Sequence, residues 1–355
     1  MSRDNDMRAM IRETATRLMK DHMTNTLRRE AEDGKFLGEL WKLLEDNGFA
    51  AVEEEGLSYP DAVALLEVAG YWGVPLPWAQ SLLATKILGD AGLTSPGGVV
   101  SLGLQCQAPV HMARSQEQMT VSGTWHCVPW ARHADTILFT LPNGNDLWVL
   151  QTPRDAFHVE FHENLAGEPA DSVQLQQASI KTFALSPYDL RWIQAQAALM
   201  CVMTAVGAIE RVLDMTVAYA KERTQFGRPL ARFQAIQEKL AEMAGESAAL
   251  RAIAARTLTA VEEQSWDEVI KYAGVAKVRL PQAVWTVTTH AHQIHGAMGF
   301  TQEYPLHYYT RRLWSYRHDY GPERYWAQEM AQAMGDQDVW DFVTGMPGSL
   351  RMPQD

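Results

Sequence analysis

Cysteine is scarce, with Cys106, Cys127 and Cys201 the only three in 355 residues. They are neither closely paired nor spaced as metal ligands, and an odd count makes a poor disulfide framework. The three are read as reduced thiols in the core, and no metal site is expected. Positive charge is also in deficit: Lys plus Arg number 31 against 43 Asp plus Glu, a net charge of -12. Such a surface repels nucleic acid and anionic membranes, so neither is an expected partner. A long hydrophobic run is missing as well. The most apolar stretch, Ala195 to Ile209, falls short of the roughly 20 residues needed to cross a bilayer and contains Gln196 and Thr204. It reads as a buried helix with no membrane insertion. The opening MSRDNDMRAMIRE is charged throughout and lacks the apolar centre of a signal peptide, which points to a cytoplasmic location. No internal repeat or low-complexity tract is visible.

What is present divides the chain by texture. From Met7 to about Ala91 apolar residues recur at helical spacing, as in Met7, Met10, Ile11, Ala15 and Leu18, and the punctuation at Gly48, Ser58-Tyr59-Pro60-Asp61 and Pro75-Leu76-Pro77 predicts about four helices. After Thr94-Ser95-Pro96-Gly97-Gly98 the runs become short and β-branched. Strands are expected near Val99–Leu104, Met119–Ser122, Thr136–Leu141, Leu147–Gln151 and His158–Phe161, in a small antiparallel sheet or barrel. Long helical patterns return with Asp189 to about Arg223, Leu230 to Gln264 and Trp266 to His295, the last crossed by Pro281, which should kink it. The fold class is mostly α with a small β domain: an N-terminal helical domain over 1–93, a shortened middle β domain over 94–185, a C-terminal four-helix bundle over 186–345 and a tail over 346–355. Helices this long and apolar are expected to pack on another subunit.

Two segments put glycines and polar residues between the long helices. In Arg223-Thr224-Gln225-Phe226-Gly227-Arg228-Pro229, followed by Phe233-Gln234-Ala235-Ile236-Gln237, Gly227 can end one helix and Pro229 start the next. Arg223 at that junction suits a phosphate or pyrophosphate, and a capped helix hairpin accounts for the same spacing. In Gln293-Ile294-His295-Gly296-Ala297-Met298-Gly299-Phe300, the glycines allow a ligand or another backbone to approach, as would a tight turn. His290, His292 and His295 lie close together at a spacing that turns them apart on a helix, so they are not read as a metal site. Arg311, Arg312, Arg317 and Arg324 could meet the phosphates of a ligand or pair with surface acids, and solvated pairing is the simpler reading. The aromatics Tyr308, Tyr309, Trp314, Tyr316, Tyr325 and Trp326 are assigned to core and interface.

Taken together, the two segments resemble the acyl-CoA dehydrogenase family, which carries R-x-x-F-G-x-P-x-x-x-F-Q-A-x-Q and, further on, Q-x-x-G-x-x-G-[FY]. The matches are Arg223, Phe226, Gly227, Pro229, Phe233, Gln234, Ala235 and Gln237, then Gln293, Gly296, Gly299 and Phe300. The resemblance covers most of the chain, by motif from about Leu199 and by domain layout before it. It implies FAD-dependent α,β-desaturation of an acyl-CoA, with Arg223, Thr224, Gln225, Phe233, Gln234, Gln293 and Gly296 contacting the ADP part of FAD across a subunit interface. It implies an acyl-CoA substrate, an oligomer and an electron-transfer partner.

The family also places a glutamate base after the glycine turn or, in a minority, on the helix before the arginine loop. Those positions are Tyr320 and Ala197 here, which leaves Asp319 as the nearby carboxylate, either a displaced base or a turn residue. The family's Thr-Glu-Pro loop has no counterpart, and Thr124-Trp125-His126-Cys127-Val128-Pro129-Trp130 runs through the place of its Trp-Ile-Thr segment, which puts the flavin-ring half of the site in question. The resemblance therefore leaves two alternatives, a homo-oligomeric enzyme or a half-site or non-catalytic partner of a homologous subunit, as in short bacterial members acting on steroid or lipid thioesters.

Overall fold

The computed structural model describes residues 2–52, 56–104, 106–115, 118–335 and 338–344. Helices α1 (Ser2–His22), α2 (Asn25–Glu32), α3 (Gly38–Asp46), α4 (Tyr59–Trp72) and α5 (Trp78–Asp90) come first. They number five rather than four, because Thr24 caps the amide of Leu27 and starts α2 as a separate short helix. The tail expected over 346–355 lies outside the described residues.

The middle region holds two four-stranded sheets instead of one. Strands β1 (Val100–Gly103), β4 (Thr136–Asn143), β5 (Asp146–Pro153) and β8 (Thr182–Leu185) form the first, and β2 (Cys106–Arg114), β3 (Met119–Pro129), β7 (Ala170–Ile180) and β6 (His158–Glu160) the second. The arrangement is not purely antiparallel, since β1 pairs with β4 in parallel. The pattern at Val100, Ile137, Leu150 and Val173 is apolar because these side chains are buried, and Trp125 of the second sheet packs on Phe139 of the first with centroids 4.5 Å apart. Strands β2, β7 and β8 escaped the sequence reading because polar residues such as Gln174, Gln176 and Gln177 dilute their alternation. Cys127 is exposed, contrary to the core assignment. It sits at φ 53° where the β3–β7 register shifts between Trp125 and Val128, and the bulge carries it off the core face. Cys201 is buried, and the side chain of Cys106 lies outside what the structure describes.

The C-terminal region is built on α6 (Leu190–Glu222), α7 (Gln234–Glu262), α8 (Trp266–His295), α9 (Leu306–Tyr316), α10 (Glu323–Met334) and α11 (Val339–Thr344). Asp189 caps α6 by accepting from the Trp192 amide at 2.7 Å. Helix α6 fills the span expected from Asp189 to about Arg223; contrary to the reading of its apolar run as too short, it is long and apolar enough to cross a membrane by composition, yet 89% of its most apolar window is buried inside the fold. Helix α8 continues through Pro281, which is buried.

Helices α4 and α6 cross with their backbones nearly touching. A Cβ on Gly70 would lie 1.8 Å from the Thr204 carbonyl oxygen, and one on Gly207 1.9 Å from that of Glu67. Only the absence of side chains permits this approach. Gly207→Ala is expected to cost ~3 kcal/mol or more in urea unfolding, whereas Gly89→Ala, with open space around it, should stabilise by about 0.4–1 kcal/mol.

Candidate active site

A cavity of about 700 Å³ opens where all three regions meet. Leu66, Val74, Leu76, Trp78 and Leu102 give it an apolar wall. The ends of β3 and β6 supply a polar rim at His126, Cys127, Glu160 and His162, and α6 contributes Gln194, Cys201 and Thr204. The loop between α9 and α10 closes it with His318, Asp319 and Tyr320.

That loop is held by buried donors. Lys277 of α8 is 0% exposed, and its Nζ donates to the carbonyl oxygens of Tyr316 at 2.7 Å and Asp319 at 2.6 Å. It thereby satisfies an orphan carbonyl at the end of α9. Trp326 Nε1 donates to the Tyr320 carbonyl at 3.1 Å. Between these anchors Tyr320 adopts φ 57° and Gly321 φ 104°, a left-handed conformation that a tyrosine tolerates only when its surroundings impose it.

The electrostatics follow from burial. Asp319 is brought from its ordinary 3.8 up to about 7, chiefly by desolvation, with Lys277 opposing and Glu168 adding to the rise. Its carboxylate accepts long 3.4 Å contacts from Ser315 Oγ. Burial pushes the Cys201 thiol up to about 12 and raises the Tyr320 phenol well above its ordinary value, so both stay protonated near neutrality. Gln80 Nε2 donates to the Tyr320 hydroxyl at 3.0 Å. Ala197 is buried in α6 and does not line the cavity.

The segments implicated in nucleotide binding gather at one end of the helical bundle. Thr224–Gln225 and Arg228–Pro229 pair as β9 and β10, a minimal hairpin whose turn, Phe226 at φ 51° and Gly227 at φ 76°, has both central residues left-handed. Arg223, Thr224 and Gln225 are exposed, as is Gln234, which donates to Glu238 at 2.9 Å, while Phe233 is half-buried under the Arg228 guanidinium. The end of α8 joins this group through Lys239, which donates to Gln293 Oε1 at 2.7 Å, and through Tyr219, whose ring stacks on His295. Gly296 takes φ 59° with nothing within 4 Å of a notional Cβ, leaving room for a close approach. None of these residues lines the cavity.

The remaining residues singled out in the sequence find separate partners. His290 pairs with Glu242, His292 with Thr310, and His295 with the Ala291 carbonyl, each facing its own partner. Arg312 is not a solvated surface pair: it is buried and bonds Glu168 at 2.7 Å, tying α9 to the middle region. Sequence reading missed Lys277 and Gln80. The first had a visible signal, a lysine on the apolar stripe of Val269, Ala273, Ala276, Leu280 and Val284. The second had none, because its partner lies 240 positions away.

The raised pKa of Asp319 links its protonation to the stability of the fold. Stability contributed by its neutral form is complete below 3.8 and is lost as pH rises through about 7. Asp319→Asn should therefore melt close to the parent at about pH 3.5 and increasingly above it as the pH rises to about 8.5, by differential scanning fluorimetry. Equal melting temperatures at the higher pH would show that the carboxyl is not held neutral.

Comparison with known proteins agrees with this architecture. The family model for the acyl-CoA dehydrogenase C-terminal domain matches residues 193–335. The chain is 28% identical over 328 residues to the acyl-CoA dehydrogenase IpdE2 of Mycolicibacterium smegmatis, covering 89% of this chain and 95% of that protein. Among solved structures, the Tcur3481-Tcur3483 steroid ACAD G363A variant superposes with a TM-score of 0.85 at 24% identity, covering 93% of this chain and 98% of the other. The ChsE4-ChsE5 complex from Mycobacterium tuberculosis gives 0.84 at 20% identity, covering 94% and 98%. With the layout of helices, sheets and helices and the two glycine-bearing segments at one bundle end, these matches show that residues 193–335 correspond to the C-terminal domain of acyl-CoA dehydrogenases, a family of FAD-dependent oxidoreductases, and that the chain as a whole has the fold of that family.

Proposed function

We propose that this chain works in an oligomeric FAD enzyme that desaturates an acyl-CoA between its α and β carbons, with Asp319 as the base. The observation that carries the reading is a carboxyl in the cavity lining whose pKa lies at about 7. At that value it is ionised often enough to accept the α-proton and basic enough to draw it. Tyr320 is held protonated and Ala197 has no acceptor, so neither replaces it. The apolar wall of Leu66, Val74, Leu76 and Leu102 suits an acyl group and excludes water from the reacting carbons.

The residues present fit FAD. Arg223 would neutralise the pyrophosphate, Thr224, Gln225, Gln234 and Gln293 would satisfy its oxygens or the adenine edge, Phe233 would cover the adenosine, and the open space beside Gly296 would admit the backbone approach. When bound, FAD supplies the acceptor for the hydride that leaves the β-carbon. Because the nucleotide-binding end does not line the cavity, the reading pairs this chain's arginine loop with a flavin ring lodged in a neighbouring subunit. Phe226, 91% exposed at the hairpin tip, and Phe300 at 72% are apolar surfaces suited to such a neighbour. A homo-oligomer meets this need, as does a heteromer with a homologous subunit. The two-protein assemblies named among the structural neighbours favour the latter, in which this chain supplies a half-site. A soluble cytoplasmic setting and a separate electron-transfer partner complete the reading.

Arg223→Ala is expected to weaken flavin retention about ten- to a hundredfold, read by the flavin content of the purified protein, and unchanged retention would remove Arg223 from the site. Flavin bleaching under anaerobic conditions, with short, long and steroid acyl-CoAs, tests the base. Bleaching by the parent that disappears in Asp319→Asn supports the assignment. Bleaching that needs a homologous second subunit and survives Asp319→Asn shows instead that this chain is the non-catalytic half.

A further inference from the structure

The tyrosine in the place of the family's usual glutamate is more than a lost base. Tyr320 is held in a left-handed conformation by the Trp326 indole on its own carbonyl and by Lys277 on the carbonyl before it. A non-glycine residue is rarely fixed this way without a side chain to aim. The ring is partly buried, and the residue lines the cavity beside Asp319. Its hydroxyl oxygen accepts from Gln80 Nε2 at 3.0 Å, so that bond leaves the phenol's own proton uncommitted, and among the described residues no acceptor takes it. Gln80 lines the cavity too. A hydroxyl proton on the cavity lining without a protein acceptor is available to an oxygen on a bound ligand.

The charge of the lining narrows the ligand. Among the described lining residues there is no lysine or arginine. Its carboxylates are Glu160, Glu163, Asp319 and Glu168, the last paired with Arg312, and its imidazoles, His126, His162 and His318, lie on the exposed side. An anionic acyl end would enter an apolar chamber with like charge beside it and no guanidinium to receive it. A neutral donor pair asks for a neutral acceptor.

We propose that Tyr320, set by Gln80, is a specificity-determining hydrogen-bond donor that selects acyl groups carrying an uncharged oxygen, a hydroxyl or a ketone, over plain hydrocarbon and over ω-carboxylated acyl groups. This rests on the acyl-CoA reading above. Unlike the α-proton chemistry, it concerns recognition, and it is read by binding alone.

The test is isothermal titration of the protein purified with its bound flavin, without oxygen, against three probes: cyclohexylpropanoyl-CoA, the same thioester with a ring hydroxyl, and glutaryl-CoA. The hydroxylated ring is expected to bind about two- to tenfold more tightly than the plain ring, the range of one net hydrogen bond, and glutaryl-CoA most weakly. In Tyr320→Phe the ratio of hydroxylated to plain affinity should fall to about one, and Gln80→Leu, which frees the phenol from its anchor, should reduce it as well. A ratio that survives in Tyr320→Phe, or glutaryl-CoA as the tightest ligand, overturns the proposal while leaving the acyl-CoA reading intact. Failure of all three probes to bind the parent overturns that reading and the proposal with it. Should Tyr320→Phe not fold, the Gln80→Leu ratio decides, since the proposal requires it to fall.

Discussion

The backbone contact between α4 and α6 governs the rest of the structure. At Gly70 and Gly207 the two helices come closer than any side chain would allow. The N-terminal helices are thereby locked onto the longest and most buried helix of the C-terminal region. The cavity lies against this crossing, with Leu66 and Ala69 from one helix and Cys201 and Thr204 from the other. Were the helices set apart by even a methyl group on each, the apolar wall would withdraw from the polar loop that closes the chamber. Shape at the site thus depends on two residues that contribute no chemistry.

The same economy of position governs the charges. A lysine with no exposure is costly unless its protons are satisfied, and Lys277 meets the requirement with two carbonyl oxygens of the loop rather than with a carboxylate. Burial lowers the pKa of Lys277, and its Nζ holds the chain at Tyr316 and Asp319 while the Asp319 carboxyl responds mainly to desolvation. The outcome is an acid near neutrality beside a phenol that stays protonated. Two neighbouring residues acquire opposite capacities, one to accept a proton and one to donate a hydrogen bond, as environments that push acidities apart tend to produce.

The bundle end proposed to hold the nucleotide is organised by different means, through local turns instead of long-range packing. Its hairpin is closed by two left-handed residues and Gly296 turns the end of α8, while Lys239 and Tyr219 tie the segments together. Arg223, Thr224 and Gln225 face solvent, and Phe226 and Phe300 stay largely exposed although they touch Phe233 and His292. A site that offers its groups outward in this way is suited to completion by another subunit.

The amino-acid sequence by itself determined the order of helices, sheets and helices, the spans of α6 and α8 and the segments from Arg223 and Gln293, because each is written in neighbouring residues: a period, a glycine turn. It also showed that Tyr320 and Ala197 lack a carboxylate. The polar strands β2, β7 and β8 stayed hidden, since their pairing partners are remote and their alternation is weak. Only the tertiary structure decided that Asp319 lines a cavity, that Lys277 grips its carbonyl, that Gln80 meets Tyr320 and that Cys127 is turned outward. An acidity constant, a desolvated lysine and an uncommitted phenol proton are properties of surroundings assembled from distant parts of the chain, and a linear pattern carries no distance between residues 80 and 320.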